Sequence, residues 1–390
     1  MIAQRINLLG LTREELTDFA EGIGERRYRG GQLFGWLYTK GATSFDSMTD
    51  LKKDVRERLK LSASIAGLTL AGSQESRRDA TMKFLFSLSD GLPVESVLIP
   101  PSSAFTGREA AGEDEQRRLT LCVSTQVGCP LDCAFCATAT MGYRRNLDSG
   151  EIVDQILQVK RLTGKQITNI VFMGMGEPLM NYDNVMRASE IIVSGLSIAA
   201  RHITVSTAGW ADRIRQLADE RRKMKLAVSL HSAIEATRMR LMPVTKRFGV
   251  AELASALEYH YRRMKERITF EYIFFDGIND TPEEVAALVR FVRRIPGKIN
   301  IIPFHSIDFT GPAGFAATLR PSHRSEDIVR HLRDQNLIVM VRSNAGDDID
   351  AACGQLAVLE GGMPRPRKTR PAAAANGSPD IHWSSSSGAI

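Results

Sequence analysis

The sequence predicts an α/β fold in which a parallel sheet forms a full or partial barrel. From residue 119 onward, apolar segments of strand length alternate with segments of helix length. This alternation indicates a parallel sheet, and this many repeats indicate a barrel whose catalytic groups lie where strands end and loops begin. The predicted strands are Leu119–Ser124, Ile167–Met173, His202–Ser206, Lys225–Leu230, Ile268–Phe275, Lys298–Pro303 and Leu337–Val341. The predicted helices are Ser149–Leu162, Asn184–Val193, Ala211–Ala218, Ala251–Lys265, Pro282–Arg293 and His323–Asp334.

Residues 1–80 are predicted to form a helical accessory domain. Thr12 and Glu15 have the spacing of a capping box at the start of a helix. Two further helices are predicted over Tyr28–Tyr38 and Leu51–Leu61. The lysines and arginines of these segments are interleaved with acids, so they either contact the phosphates of RNA or form a solvated helix face.

A β-hairpin and a linker are predicted over residues 81–114. The two strands, Thr81–Leu88 and Val94–Ile99, are joined at Asp90-Gly91, a dipeptide typical of hairpin turns. Residues 102–118 are polar and are predicted to form a loop. The catalytic core is predicted over residues 115–360, and the tail over residues 361–390 is predicted to be disordered.

The composition favours a soluble cytoplasmic enzyme with one large catalytic domain. The chain has 390 residues, of which 43% are hydrophobic and 25% are charged. No apolar segment approaches the roughly 18 residues that a transmembrane helix needs, and the N-terminus lacks the apolar core of a signal peptide. A net charge of +6 is compatible with a polyanionic partner without requiring one.

The five cysteines indicate metal binding or catalysis, because an odd number argues against a disulfide framework. Three of them, Cys129, Cys133 and Cys136, lie in GCPLDCAFC directly after the first barrel strand. Thiolates are the usual iron ligands of iron–sulfur clusters, and three thiolates on a four-iron cubane leave one iron open. On spacing alone, a zinc site and a buried helical stripe stay open as alternatives.

A glycine-rich segment, FMGMGEPLMN, ends the second barrel strand. Gly174 and Gly176 allow the backbone to approach a ligand closely, and Glu177 is a candidate acceptor for an ammonium group. The alternative is a tight strand–helix turn in which Pro178 begins a helix. Further groups at later strand ends together fit a pocket at the barrel mouth, namely Ser206, Ser229, Leu230 and His231.

The remaining two cysteines lie far apart in the sequence. Cys122 lies in LTLCVS, where a buried apolar side chain and a functional thiol fit the pattern equally well. Cys353 lies in GDDIDAACGQL, a polar segment that predicts an exposed loop with an accessible, reactive sulfur.

The motif CxxxCxxC, with Phe135 just before its last cysteine, resembles that of the radical S-adenosylmethionine (SAM) superfamily. The resemblance implies a partial (β/α)6 barrel and a [4Fe–4S] cluster held by the three cysteines, with SAM on the open iron. It also implies that Gly176 and Glu177 hold the amino group of the SAM methionine. Reductive cleavage of SAM would give a 5′-deoxyadenosyl radical, which is chemistry that proteins delegate to cofactors.

A narrower resemblance rests on VESVLIP, TLCVSTQVGCPLDCAFCATA, GMGEPLMN, SLH and GDDIDAACGQL, in this order. These segments resemble the RlmN/Cfr family of adenine methyltransferases, up to about residue 360. The resemblance implies that SAM methylates Cys353, that the methyl carbon then adds to RNA as a radical, and that Cys122 releases the product by forming a disulfide with Cys353. It implies that Glu95 accepts a proton; an outward-facing strand carboxylate is the alternative. Where the family usually has an Asn that contacts SAM, this chain has His305.

The resemblance to the RlmN type implies methylation of adenine C2 in RNA. The expected substrates are one adenosine near the peptidyl-transferase centre of 23S rRNA and the adenosine beside the anticodon of certain tRNAs. An electron donor such as flavodoxin or ferredoxin is implied, and we expect a monomer without a membrane partner. Two alternatives are a Cfr-type enzyme that methylates adenine C8 and a redox-inert zinc protein that binds RNA.

Overall fold

The computed structural model describes residues 5–101 and 118–358 of the chain. The loop predicted over residues 102–118, apart from Arg118 itself, lies outside these residues, as does the predicted tail over residues 361–390. The described residues form a small N-terminal domain and a large α/β domain.

The N-terminal domain is mainly helical, as predicted. Its elements are β1 (Ile6–Asn7), α1 (Arg13–Gly22), α2 (Tyr28–Phe34), a π-helix (Gly35–Thr39), a 3₁₀ helix (Phe45–Ser47), α3 (Lys53–Ser62) and β2 (Ala63–Ser64). The capping box of α1 is confirmed. The Glu15 amide donates to Thr12 Oγ1 at 3.3 Å, and the Thr12 amide donates to Glu15 Oε2 at 2.9 Å. These two bonds satisfy amides that a helix start otherwise leaves unpaired.

Buried hydrogen bonds around Gly10 hold the N-terminal domain together and join it to the α/β domain. The Tyr38 hydroxyl accepts a hydrogen bond from the Gly10 amide at 2.9 Å. The Ser149 hydroxyl, in the first turn of the helix Ser149–Thr163, donates to the Gly10 carbonyl at 2.8 Å. The contact therefore fixes the N-terminal domain against the segment that follows the cysteine motif.

Three antiparallel strands connect the two domains: β3 (Thr69–Glu75), β4 (Met82–Ser87) and β5 (Pro93–Ile99). The predicted hairpin of β4 and β5 is confirmed. The strand β3 differs from the sequence prediction, because residues 69–75 lie in the segment that was predicted to be helical. It is an edge strand with mostly exposed side chains, so TLAGSQE carries no apolar alternation that would reveal it.

The α/β domain contains every barrel strand that the sequence predicts. Its strands are β6 (Thr120–Cys122), β7 (Gln126–Gly128), β8 (Tyr143–Asn146), β9 (Asn169–Phe172), β10 (Ile203–Thr207), β11 (Lys225–Ser229), β12 (Ile268–Tyr272), β13 (Gly297–Ile301) and β14 (Val339–Val341). Of these, β7 and β8 form a separate small hairpin around the cysteine motif. The other seven run parallel to one another.

The predicted helices between the strands are also confirmed. The helices of this domain are α4 (Ala137–Thr140), α5 (Ser149–Thr163), α6 (Tyr182–Gly195), α7 (Ala211–Asp219), α8 (Glu235–Leu241), α9 (Val250–Met264), α10 (Pro282–Arg294), α11 (Gly314–Thr318) and α12 (Ser325–Asp334). No helix among the described residues is both long and apolar enough to cross a membrane.

The strand order of the main sheet is β14-β13-β12-β11-β10-β9-β6-β5-β4-β3. The first and last parallel strands, β6 and β14, are not neighbours in this order, so the barrel is open between them. Six strand–helix units followed by a seventh strand therefore form the partial barrel that the superfamily resemblance implies.

Side chains alternate between the two faces of each parallel strand. On β10, Ile203 and Val205 are fully buried beneath the helices, whereas Thr204 and Ser206 are half-buried. Thr204 lines the barrel interior together with Ala227 of β11. Ser206 is two residues from Thr204 on the same strand and lies opposite Ala227 in the sheet, so its side chain also faces the interior.

Candidate active site

The cysteine motif lies on a loop whose start only glycine can form. Gly128 has φ +73°, and a Cβ at this position would lie 1.7 Å from the Gly142 carbonyl oxygen. The Cys129 amide donates to that same carbonyl at 3.1 Å. The glycine thus lets the chain pass directly over β8 and turn the first cysteine inward.

The three motif cysteines do not share a helix. Residues 129–136 contain no helical turn, and α4 begins only after Cys136, so the interpretation as a buried helical stripe is wrong. Burial, followed by the neighbouring Cys136 thiol, raises the pKa of Cys129 to about 12. Burial and both neighbouring thiols raise the pKa of Cys133 well above its usual value. The three sulfurs therefore lie close together on one half-buried loop.

This donor set fits an iron–sulfur cluster. Three thiols are the ligands that such clusters use, and binding iron favours the thiolate form that burial disfavours. Within the parts of the chain that the structure describes, no three side chains of the His, Cys, Asp and Glu types form a site for a single metal ion.

Arg238 supports this loop, and no sequence pattern indicated it. Its side chain is fully buried, and the guanidinium donates to the Ala208 carbonyl at 2.5 Å and to the Leu230 carbonyl at 3.2 Å. Burial lowers the pKa of Arg238 to about 10, which leaves it charged at neutral pH. This charge lowers the pKa of Cys133. Arg238 thus joins two strand ends beneath a motif thiol.

The Gly176-Glu177 segment forms a tight turn. Gly176 has φ +100°, and a Cβ there would lie 2.5 Å from the Gln126 side chain. Glu177 caps a 3₁₀ helix that starts at Pro178 (Pro178–Asn181). Its two carboxylate oxygens accept hydrogen bonds from the Leu179 amide at 3.0 Å and from the Ala208 amide at 2.7 Å. The tight-turn alternative is therefore correct for the fold, and burial raises the pKa of Glu177 to about 7.

The serines at later strand ends face the barrel interior. Ser229 lies opposite Glu271 of β12, a residue that lines the interior, and Ser206 faces the same space from β10. Leu230 is fully buried, and its amide donates to the Glu271 carbonyl at 3.0 Å. The two serine hydroxyls are therefore available to a ligand, whereas Leu230 has its amide occupied by the neighbouring strand.

His231 lies directly under the cysteine loop. Its Nδ1 accepts a hydrogen bond from the Ile273 amide at 3.1 Å, so the ring proton is on Nε2. The ring contacts Phe135 edge-to-face, with a centroid distance of 4.5 Å. Burial lowers the pKa of His231 to about 3, so the ring is neutral.

Cys122 and Cys353 line one cavity, although more than 200 residues separate them in the sequence. Cys136 of the motif also lines this cavity. Burial raises the pKa of Cys122 to about 12, and the neighbouring Cys353 thiol contributes to that rise. All five cysteines are free thiols in the structure.

The prediction of an exposed Cys353 loop is wrong. The Gly354 carbonyl accepts a hydrogen bond from the Ala137 amide at 2.7 Å, and the Leu356 carbonyl accepts one from the Thr138 hydroxyl at 2.6 Å. These bonds hold the loop against α4 and close it over the cavity. Its glycine and aspartates thus serve tight turns in a buried segment, whereas the sequence suggested solvent exposure.

Arg342 contacts the sulfur of Cys353 and was not predicted as a site residue. Its Nη1 lies 3.0 Å from Cys353 Sγ and 3.5 Å from Met173 Sδ. Burial raises the pKa of Cys353, and the Arg342 charge opposes that rise. Arg342 lies just beyond the last residue of β14, so the end of the strand positions the charge.

Glu95 is buried with a cation on the adjacent strand. Lys83 Nζ lies 3.4 Å from Glu95 Oε1, and both side chains are 1% exposed. Burial raises the pKa of Glu95 to about 7, although the Lys83 charge lowers it. Glu95 and Val97 are two residues apart on β5, so their side chains point to the same face of the sheet. Val97 lies opposite Cys122, so the alternative of an outward-facing carboxylate is wrong.

Lys83 also joins this carboxylate to the loop of Cys353. Its Nζ lies 3.3 Å from the Asp350 carbonyl oxygen. His305 makes a second connection to that loop, because its Nδ1 lies 2.7 Å from Asp347 Oδ1. His305 lines the cavity beside Cys353.

Comparison with known proteins places this arrangement in a family. Residues 6–65 match the ribosomal RNA large subunit methyltransferase N-terminal domain, and residues 123–292 match the radical SAM superfamily. The chain is 41% identical over 386 residues to the "Dual-specificity RNA methyltransferase RlmN" of Anaeromyxobacter dehalogenans, with 96% of this chain and 97% of that protein covered. The chain belongs to the RlmN family. The "Probable dual-specificity RNA methyltransferase RlmN" of Flavobacterium psychrophilum is 43% identical over 366 residues, which cover 92% of this chain and all of that protein.

A solved structure from the same superfamily has the same fold. The radical SAM methyltransferase from Sphaerobacter thermophilus is 37% identical and superposes with a TM-score of 0.79, covering 90% of this chain and 98% of that one. The predicted fold class and the RlmN-type resemblance are therefore confirmed. Membership of the RlmN family makes the chain a radical SAM enzyme, and the family implies SAM and a [4Fe–4S] cluster as its cofactors.

Proposed function

We propose that this enzyme methylates adenine C2 in 23S rRNA and in a subset of tRNAs, with the methyl group passing through the sulfur of Cys353. The observation that supports this most strongly is the shared cavity. Cys122, Cys353 and the motif residue Cys136 all line it, with Arg342 against the Cys353 sulfur. One buried space thus holds a thiol for methyl transfer, a second thiol beside it and the edge of the cluster loop.

The target carbon explains why such an arrangement is needed. Adenine C2 is too electron-poor to attack a sulfonium methyl group, and its proton is too weakly acidic for a side chain to remove near neutral pH. The ring nitrogens would react first. A carbon radical can add to C2 directly, so the methyl carbon has to be activated before it meets the base.

The cofactor site is proposed at the motif loop. Cys129, Cys133 and Cys136 would hold a [4Fe–4S] cluster, which would supply reductive cleavage of SAM and hence a hydrogen-abstracting 5′-deoxyadenosyl group. Groups proposed to contact SAM lie at the carboxyl ends of the strands and around the same cavity. They are Gly176, Glu177, Ser206, Ser229, Leu230, His231 and His305.

Cys353 is the proposed carrier of the methyl group. Its thiolate attacks the methyl group of one SAM, so that a carbon–sulfur bond to Cys353 forms, the bond from the methyl carbon to the sulfonium sulfur breaks, and S-adenosylhomocysteine leaves. The charge of Arg342 favours this thiolate against the effect of burial. Loss of one hydrogen atom from the S-methyl group then leaves a carbon radical, which forms a bond to adenine C2. The RNA is now joined to Cys353 through a methylene carbon.

Glu95 and Cys122 complete the reaction in this proposal. The adduct passes one electron back to the one-electron carrier, proposed to be flavodoxin or ferredoxin. It also loses its C2 proton to Glu95. The Cys122 thiolate then attacks the Cys353 sulfur, so the carbon–sulfur bond breaks, the methylene carbon takes a proton and a disulfide forms. A dithiol reductant must then reduce this disulfide to two thiols before the next turnover. Flavodoxin or ferredoxin is the proposed one-electron donor.

The N-terminal domain is the proposed RNA-contacting module, and the target base would be flipped out of its stack to reach the cavity. We propose that the enzyme acts as a monomer. The test is mass mapping of modified adenosine after incubation of anaerobically reconstituted enzyme with SAM, a one-electron reductant and either a 23S rRNA fragment or tRNA. Methylation at C2 supports the proposal. Methylation at C8 would instead indicate a Cfr-type activity, and unmodified RNA would contradict the proposal.

A further inference from the structure

A second chamber occupies the interior of the barrel, and none of the residues proposed to contact SAM is among those that line it. Its walls are inward-facing side chains of the parallel strands, including Thr120 of β6 and Met340 of β14. Because β6 and β14 do not pair with each other, the chamber lies at the side where the barrel is open. The chamber thus connects the interior with the open side of the barrel.

The chamber adjoins the cavity of Cys353. Four residues line both spaces, namely Ile99, Met173, Arg342 and Ser343. Arg342 contacts Cys353 Sγ from one side of this junction. A group that enters the chamber can therefore approach the sulfur that is proposed to carry the methyl group.

Cations surround the outer end of the chamber. Arg118 precedes β6, Lys225 is the first residue of β11, and Lys298 lies near the start of β13, so all three lie at the amino ends of strands. The motif cysteines follow the carboxyl ends. Among the described residues, no carboxylate lies within ion-pair distance (4.0 Å) of any of these three cations. Positive charge therefore predominates at this end, although the charge of Glu266 also acts on Lys225.

The carboxylate of Glu271 also lines the chamber, but it lies deeper than the three cations. Glu271 is buried, and its Oε2 accepts a hydrogen bond from the Asn300 amide group at 2.8 Å. Arg342 and Lys298 both lower its pKa, although burial raises it overall. Lys225 is also affected by its surroundings: burial lowers its pKa, and so do the charges of Arg118 and Lys298. An anion at the outer end would relieve this repulsion.

We propose that Arg118, Lys225 and Lys298 bind the phosphates of the RNA strand that carries the target adenosine. The RNA strand would lie across the amino ends of the barrel strands, where these cations lie, and its flipped base would extend through the chamber toward Cys353. This inference rests on the proposed function, because it assigns the entry path of that same substrate. Polar side chains along the chamber, Thr204 and Thr269 among them, provide hydrogen-bonding groups for a nucleotide.

The test compares RNA binding by the double variant Lys225→Gln/Lys298→Gln with that of the wild-type enzyme. Binding of a fluorescent RNA hairpin containing the target adenosine is measured by anisotropy over a range of salt concentrations. Loss of two phosphate contacts should weaken binding and reduce the slope of log Kobs against log salt by about 2. The KM for RNA should rise about tenfold at physiological salt, while kcat changes little.

Two further double variants show whether RNA binding depends on cations at these positions or only on the total positive charge of the protein. In Lys246→Gln/Lys265→Gln the same charge is removed at exposed positions outside the chamber, and binding should match the wild type. Lys225→Arg/Lys298→Arg keeps the charges and should restore the salt slope. If the chamber variant binds with the wild-type affinity and slope, or if the control variant is weakened equally, the inference is wrong. If wild-type enzyme does not methylate the RNA at all, the proposed function has failed instead.

Discussion

The guanidinium of Arg342 lies 3.0 Å from the sulfur of Cys353, across the junction between the end of β14 and the loop that covers the cavity. The contact brings a fixed positive charge to a thiol that burial would otherwise keep protonated. In the other direction, the Cys353 thiol is the largest contribution to a raised pKa of Arg342. Arg342 therefore makes the Cys353 thiolate easier to form, although burial still raises the pKa of this thiol overall.

Replacing Arg342 should slow chemistry at Cys353 without removing the cluster. In Arg342→Gln the pKa of Cys353 rises, and each unit of pKa lowers the thiolate fraction about tenfold at neutral pH. The rate of Cys353 alkylation by iodoacetamide, measured by peptide mass spectrometry, should fall accordingly. Arg342→Lys should retain part of the rate, and exposed Arg330→Gln should retain all of it. Equal alkylation rates in Arg342→Gln and wild type would contradict this account.

A pair of glycine variants tests the geometry of the cysteine loop. Gly128 and Gly142 both have positive φ, but only at Gly128 would a Cβ meet another atom within 4 Å. Gly128→Ala should displace the loop and abolish iron binding after anaerobic reconstitution. Gly142→Ala should cost only about 1–2 kcal/mol of backbone strain and should retain iron. Equal iron content in the two variants would show that the Gly128 contact does not position the thiols.

Removing Cys122 should trap the reaction before product release. Without a thiol beside Cys353, the carbon–sulfur bond has no nucleophile to break it, so Cys122→Ala should accumulate protein covalently joined to RNA. Denaturing gel electrophoresis with labelled RNA detects this species, and ribonuclease treatment should remove it. Formation of free methylated RNA at the wild-type rate would rule out Cys122 as the resolving thiol.

Glu95 should give the RNA-dependent step a pH dependence centred near neutrality. Its pKa is raised to about 7, so the proton-accepting carboxylate forms as the pH rises through that value and the rate rises with it. Lys83→Met removes a charge that lowers this pKa, and the profile should therefore move to higher pH. Glu95→Gln should abolish the rising limb. Rates of product formation over a pH series provide the measurement, and an unshifted profile in Lys83→Met would contradict the assignment.

The sequence predicted the barrel because apolar segments of strand length alternate regularly with segments of helix length. It predicted the three motif cysteines as cluster ligands because their spacing can be recognised within one short segment of the chain. It did not predict β3, since an exposed edge strand needs no apolar pattern. It also missed that the loop around Cys353 packs over a cavity, because a loop rich in glycine and aspartate has the same composition whether it faces solvent or closes a cavity.

The supporting charges of the site were missed for a common reason. Lys83, Arg238 and Arg342 act through partners that are distant in sequence, and each reaches its partner only after the sheet has formed. A single lysine or arginine in an apolar strand or helix carries no periodic signal. Only the folded arrangement shows that each of them is buried or half-buried against a thiol, a carboxylate or a strand end.

The most direct test of the account follows a labelled methyl group through Cys353. Enzyme is given SAM with a CD3 group under anaerobic reducing conditions, and the products are analysed by mass spectrometry. The account predicts CD3 on the Cys353 peptide before RNA is added, then an RNA methyl group that has lost one deuterium, with that deuterium in 5′-deoxyadenosine. An intact CD3 group on RNA, made by enzyme whose Cys353 is never methylated, would contradict it.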